Sequence, residues 1–163
     1  MQMDAVIEVP KGSRNKYEMD LGAGRIRLDR ALFTATAYPS DYGFFPDTLA
    51  EDGDPLDVLV LVEAPTFPGC VISVRPVAVF WMQDEAGPDA KVLAVPAGDV
   101  RFAAITDLPD VPAHLLGEIS HFFNVYKDLE PSKQGEARGW QGRAAAEATI
   151  ADALHRAGSD TGR

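Results

Sequence analysis

Three carboxylates fall within six residues in Asp52-Gly53-Asp54-Pro55-Leu56-Asp57, and an unbroken apolar run, Val58-Leu59-Val60-Leu61-Val62, follows directly. Acids this close repel one another unless protons or cations intervene. Hard carboxylate oxygens suit Mg²⁺, Mn²⁺ or Ca²⁺. Gly53 and Pro55 would restrain the backbone and aim the acids. On these residues alone an ordinary solvated acidic turn remains an alternative, as does a cap or ion pair for one of the three. An EF-hand calcium loop does not. Counted from Asp52, Glu63 falls at the twelfth position, but the sixth is Asp57, where that loop needs glycine.

Other segments offer partners. Asp84-Glu85-Ala86-Gly87-Pro88-Asp89, followed by Lys91, is a charged hairpin tip by itself; beside the first loop it could share metals. Glu8 and the triplet Lys16-Tyr17-Glu18 form a third group. Lys16 and Glu18 are two apart, so they share one strand face while Tyr17 takes the other; a surface salt bridge is the plain alternative. Asp29-Arg30, Tyr38 and Tyr42 around Pro39-Ser40-Asp41, and Tyr126-Lys127 supply cations and phenols. Arg grips phosphate oxygens bidentately and Lys as a point charge. A helix-terminal Lys answering the macrodipole, or a packed tyrosine ring, is the alternative at each. Spacing does not assemble these groups into one site.

The elements that must carry them read as strands first and helices last. Strands are expected over 6–9, 16–21, 25–28, 58–62, 71–82, 91–95 and 102–105, with Gly22-Ala23-Gly24 as a hairpin turn. Leu115, Leu116, Ile119, Phe122, Phe123 and Tyr126 recur at helical spacing over 112–126, with Asp110 and Pro112 as cap and first turn. An Ala-rich helix is expected over 143–156, stopped by Gly158, with 159–163 a frayed tail. This order predicts an α+β fold: a small closed, OB-like β-barrel of short strands flanked by two C-terminal helices, forming one domain over 1–163.

Charge narrows the partners. Twenty-five acids against 15 Lys and Arg give a net −10, which disfavours nucleic acid and anionic membrane, since both need a basic footprint. An anionic ligand would need a metal to reverse the local sign. No apolar run approaches the roughly 20 residues of a membrane span. The N-terminal residues do not read as a secretory signal, and the lone Cys70 fits a reducing compartment; a cytoplasmic location is expected. Cys70, after Pro68-Gly69, reads as a turn-to-strand packing residue.

Asp52-Gly53-Asp54-Pro55-Leu56-Asp57-Val58 resembles the signature of the family I soluble inorganic pyrophosphatases, bacterial type. The similarity runs from Val6-Ile7-Glu8-Val9-Pro10 to Gly139-Trp140. It takes in Lys16-Tyr17-Glu18, Leu28-Asp29-Arg30, Tyr38-Pro39-Ser40-Asp41-Tyr42-Gly43, Asp89-Ala90-Lys91, His121-Phe122-Phe123 and Tyr126-Lys127-Asp128-Leu129-Glu130. The resemblance implies hydrolysis of pyrophosphate to two orthophosphates by a metal-activated water. It implies Mg²⁺ as cofactor, with Mn²⁺ or Zn²⁺ as substitutes and Ca²⁺ inhibitory.

By the same resemblance Asp52, Asp57 and Asp89 match ligands of the tighter metal sites. Asp57 bridges two metals and is counted with Asp54, the general base, in the catalytic pair. Asp84 matches a ligand of a metal arriving with substrate, Glu18 one near the departing phosphate, and Glu8 a supporting acid. Lys16, Arg30, Tyr42, Lys91, Tyr126 and Lys127 match the phosphate-binding set, with Tyr38 and Lys133 in support. A homohexamer is implied. The segment 134–138 is less like the family, and Val125 stands where bacterial members commonly have His. A noncatalytic metal-binding module on the same fold would keep the acids and lose the cations, but Lys16, Arg30, Lys91 and Lys127 are all present.

Overall fold

Alternating apolar residues make the two longest strands of the computed structural model, which describes residues 1–131 and 135–161. These are β6 (Val71–Asp84) and β7 (Gly87–Pro96), joined by a tight hairpin at Asp84–Gly87. Ahead of them come β1 (Met3–Val9), β2 (Asn15–Asp20), β3 (Arg25–Ala31), β4 (Asp41–Phe44) and β5 (Asp57–Val60). After them come α1 (Ala113–Val125), β8 (Gly135–Gly142) and α2 (Arg143–Asp160). Five strands run β1-β4-β5-β7-β6, and β6 pairs back onto β1 through Val71–Val74, closing the barrel. The far half of β6 binds β8 instead, from Ala78 to Asp84. Closure pairs the β1 edge, which would otherwise promote aggregation. This is the expected OB-like barrel with two C-terminal helices.

The barrel wall sends alternate residues to two cores. Leu59 and Leu61 of β5 and its continuation, with Leu93 and Val95 of β7, pack with Ile119, Phe122 and Phe123 of α1. Val58, Val60, Val92 and Ala94 pack with Ala146, Ile150 and Ala153 of α2, a helix face set by that i, i+4, i+7 spacing. β1 and β4 approach so closely that a Cβ on Gly43 would lie 1.8 Å from the Val6 carbonyl oxygen, so only glycine fits there. β2 and β3 stand apart as a two-stranded hairpin.

Several expectations are corrected. Residues 102–105 are not a strand: Val100–Phe102 is a 3₁₀ turn capped by Asp99, and the Arg75 guanidinium donates to the carbonyls of Phe102 (2.6 Å) and Ile105. Asp110 does not cap α1. It closes a reciprocal cap with Asp107 around the preceding 3₁₀ turn, Leu108–Asp110, and α1 starts after Pro112 with no side-chain cap. Gly158 does not stop α2, which runs on to Asp160. The Ser159 hydroxyl donates back to the His155 carbonyl (3.0 Å), and no proline follows to break the turn. Strands β4 and β8 lie outside the expected set. Lys133 lies outside the described residues. Among those described, no helix is long and apolar enough to cross a membrane.

Candidate active site

Parallel pairing of β5 with β7 sets Asp57 directly beside Lys91, and Asp89 shares the Lys91 face two residues earlier. Lys91 is 3% exposed. Its Nζ lies 2.9 Å from Asp57 Oδ2, 3.2 Å from Asp89 Oδ2 and 2.9 Å from the Tyr42 hydroxyl oxygen, which in turn donates to Asp57 Oδ2 at 2.7 Å. The rings of Tyr42 and Phe123 flank the ammonium at 5.2 and 5.0 Å. Burial alone would discharge Lys91, but Asp57, Tyr42 and Asp89 outweigh it and hold the group well above its ordinary range. Burial pushes the Asp89 carboxyl up, opposed by Lys91 and assisted by Asp57.

The β2–β3 hairpin forms the opposite bank. Lys16 pairs with Glu18 and, at 3.2 Å, with Asp29, which also pairs with Arg30. Lys16 and Glu18 share a face as expected, but Tyr17 lines the cleft too. The register shift between Lys16 and Tyr17 makes Asp29 of β3 the extra residue, the acid that pairs with both Lys16 and Arg30. Glu8 of β1 ties the hairpin down by accepting the Met19 N–H at 2.6 Å. Burial raises the Glu8 carboxyl to about 7 against the pull of that N–H, with Asp57 and Glu18 adding to the rise.

Between the banks lies a cavity of about 350 Å³. It gathers Glu8, Lys16, Glu18, Arg30, Tyr42, Asp54, Asp57, Asp89, Lys91, Tyr126 and Lys127 from seven separate stretches of chain. Asp54 is exposed at its rim. Partial burial, then Asp52 and Asp57, push its carboxyl up. Gly53 has φ +90, a backbone setting that favours glycine, and it lets the Asp54 N–H fold back onto Asp52 Oδ1 at 3.0 Å. Burial drives the Tyr126 hydroxyl up to about 12, so it stays a neutral donor.

Three predicted residues fall outside the cavity lining. Asp52 borders a neighbouring recess behind Asp89. Asp84 caps the β6–β7 turn, accepting the Ala86 N–H at 2.8 Å. Tyr38 is buried against Tyr42 and Phe122, with ring centroids 5.4 and 4.7 Å away, and supports the cleft from beneath. Sequence reasoning assigned no role to Tyr17, Met19, Leu21 and Phe44, which line the cleft, or to Glu130, which pairs with Arg30; Pro55, expected to restrain the acidic loop, lines the cleft as well. Glu130 follows Tyr126-Lys127 within one quoted motif, which was its only signal.

The donor set fits a divalent cation of one kind. Among the described residues, no three His, Cys, Asp or Glu side chains converge to wrap an ion by themselves. Mg²⁺ does not need that: it keeps several waters and binds through one or two carboxylates plus phosphate oxygens. Five cleft acids stand against four cations, so the acids outnumber the protein's own counter-charges in the cleft by one.

Comparison with known proteins places the chain in one family. The family model described as inorganic pyrophosphatase matches residues 5–158. The inorganic pyrophosphatase of Streptomyces coelicolor is 58% identical over 92% of each chain, and that of Leifsonia xyli is 58% identical over 90% of each. The crystal structure of the Thermus thermophilus inorganic pyrophosphatase superposes with a TM-score of 0.94 at 50% identity, covering 96% of this chain and 91% of that one.

Proposed function

This chain belongs to the inorganic pyrophosphatase family, and on that footing we propose that its cleft hydrolyses pyrophosphate to two orthophosphates with Mg²⁺. One observation carries the reading. Lys16, Arg30, Lys91 and Lys127 face the same cavity as Glu8, Glu18, Asp54, Asp57 and Asp89. A site that only collected metals would have no use for the cations, which argues against a noncatalytic module.

Asp52, Asp57 and Asp89 would hold the tighter metal positions, Asp84 an ion that enters with substrate and Glu18 one near the departing phosphate, with Glu8 as a supporting acid. When bound, such cations supply a water of lowered pKa and offset phosphate charge. The chain's own residues do the rest. Lys91 and Tyr42, fixed on the barrel, and Lys16, Arg30, Tyr126 and Lys127 around them, donate to the phosphate oxygens. They stabilise charge that grows on the departing phosphate. Tyr38 backs Tyr42, and Lys133 would add a cation at the rim. Asp54, exposed and acceptor-only when ionised, takes the proton of the attacking water. Its raised carboxyl would return toward the ordinary range beside a cation.

Mn²⁺ or Zn²⁺ would substitute, and Ca²⁺, larger and less demanding in geometry, would inhibit. A cytoplasmic homohexamer completes the reading by family resemblance. Phosphate release from pyrophosphate, with Mg²⁺ and again with excess chelator, tests it. Release only with the metal is expected; none above blank in Mg²⁺ would refute it.

A further inference from the structure

Arg30 enters the cleft from β3, and it is paired from behind with an acid one hundred residues away. Glu130 lies in the turn after α1, where its N–H donates to the Lys127 carbonyl at 2.9 Å. Its side chain is 4% exposed and is not among the described groups lining the cavity. Glu130 Oε2 accepts from Arg30 Nη2 at 3.1 Å, and Oε1 lies 2.5 Å from Nε, close but off the hydrogen-bonding direction. Asp29 Oδ2 accepts from Nη1.

A guanidinium has five N–H donors in a rigid fork. Here Nε and one N–H of each terminal nitrogen face acids, which leaves one N–H on Nη1 and one on Nη2. Those two remain available for phosphate oxygens. We propose that Glu130 is a positioning residue: it holds the Nε–Nη2 edge of Arg30 so that the opposite edge is presented to a phosphoryl group. The proposal rests on the pyrophosphatase reading of the cleft. Fixing the fork in advance spares the rotamer freedom that a long side chain would otherwise lose on binding. A buried carboxylate serves better than an exposed one because few waters compete for the guanidinium.

A double-mutant cycle decides it. Glu130→Gln, Arg30→Lys and the double variant are compared in Mg²⁺ for KM and kcat with pyrophosphate. Calorimetric affinity for inorganic phosphate and thermal unfolding are measured alongside. Glu130→Gln should raise KM and weaken phosphate binding by about tenfold, roughly the 1.4 kcal/mol lost when one charged orienting contact goes, with a smaller change in kcat. In the Arg30→Lys background the same substitution should add almost nothing. Glu130→Asp, which keeps the charge but shortens the reach, should fold normally and show the same KM bias if the amide variant does not fold. A fall in melting temperature with unchanged KM and phosphate affinity would overturn the proposal, as would losses that multiply independently in the double variant. If the wild type released no phosphate from pyrophosphate, the functional reading would fall, and the phosphate-binding arm would still decide the coupling of Glu130 to Arg30.

Discussion

On the barrel side of the cleft, the Lys91 side chain is 4% exposed and shares its ammonium among Asp57, Asp89 and Tyr42. On the hairpin side, the Lys16 side chain is 18% exposed, and its partners Glu18 and Asp29 are 54% and 32% exposed. The residue types are alike; the surroundings are not. Lys91 is clamped by register, since β5 and β7 set Asp57 opposite it, and by two aromatic rings. Lys16 sits on a two-stranded hairpin outside the barrel sheet. A charge with fixed partners in a low dielectric keeps its position and its strength. A charge near water gives up both, and can follow a substrate instead. The cleft thus faces a fixed Lys91 with a more exposed Lys16, while Arg30 on the same hairpin is paired with the buried Glu130.

The largest effect on stability should come from the barrel side. Lys91→Met leaves Asp57 and Asp89 facing each other without their shared cation. Removing one partner of a buried pair costs about 3–5 kcal/mol, and water reaching Asp57, whose side chain is 28% exposed, should hold the loss near 3 kcal/mol. Urea denaturation without metal measures it; a loss under about 1 kcal/mol would erase the contrast between the two lysines.

Next comes Glu8, where the two banks meet, and its sign is opposite. Its folded pKa of about 7 lies above the 4.5 of an unperturbed glutamate, so the native state binds its proton more tightly than the unfolded state does. Its contribution is fully present below about pH 4.5 and is lost as pH rises through 7. Glu8→Gln keeps a carbonyl acceptor for the Met19 N–H and cannot ionise. Without metal, the variant should match the wild type at pH 4.5 and exceed it at pH 8 by up to about 3 kcal/mol. Equal stability at both pH values would show that Glu8 does not carry that penalty.

Lys16→Ala should be the mildest. Exposed pairs are worth roughly 0.2–1 kcal/mol, so unfolding should shift by less than about 1 kcal/mol while KM for pyrophosphate rises. A stability loss as large as that of Lys91→Met would make Lys16 as fixed as Lys91.

The same contrast governs what could be read from the sequence. Strands with alternating or continuous apolar residues, such as β5, β6 and β7, declared themselves. β4 did not, because Asp41-Tyr42-Gly43-Phe44 between Pro39 and Pro46 looks like turn material; its strand character comes from pairing with β1 and β5. β8 is short of apolar residues and exists as a partner for the far half of β6. The strand expected at 102–105 failed because its carbonyls are taken by Arg75, a contact across 27 and 30 residues. In the site, acid spacing pointed to metal chemistry, and the family resemblance gathered the cations. Neither could show that Lys91 is buried, since that follows from a parallel register between distant strands. Neither singled out Glu130, whose partner Arg30 is brought to it only by the fold.

The proposed function separates binding from proton transfer in this cleft, with the cations holding pyrophosphate and Asp54 serving the water. Asp54→Asn tests it most directly, because the amide keeps the shape and removes the basic oxygen. The measurement pairs turnover with calorimetric affinity for Mg²⁺ and for the non-hydrolysed analogue imidodiphosphate. Turnover should fall by roughly 10²–10⁴, the usual scale for a lost general base, with both affinities held and activity partly restored at higher pH. Normal turnover, or a loss explained by failure to bind Mg²⁺ or the analogue, would contradict it.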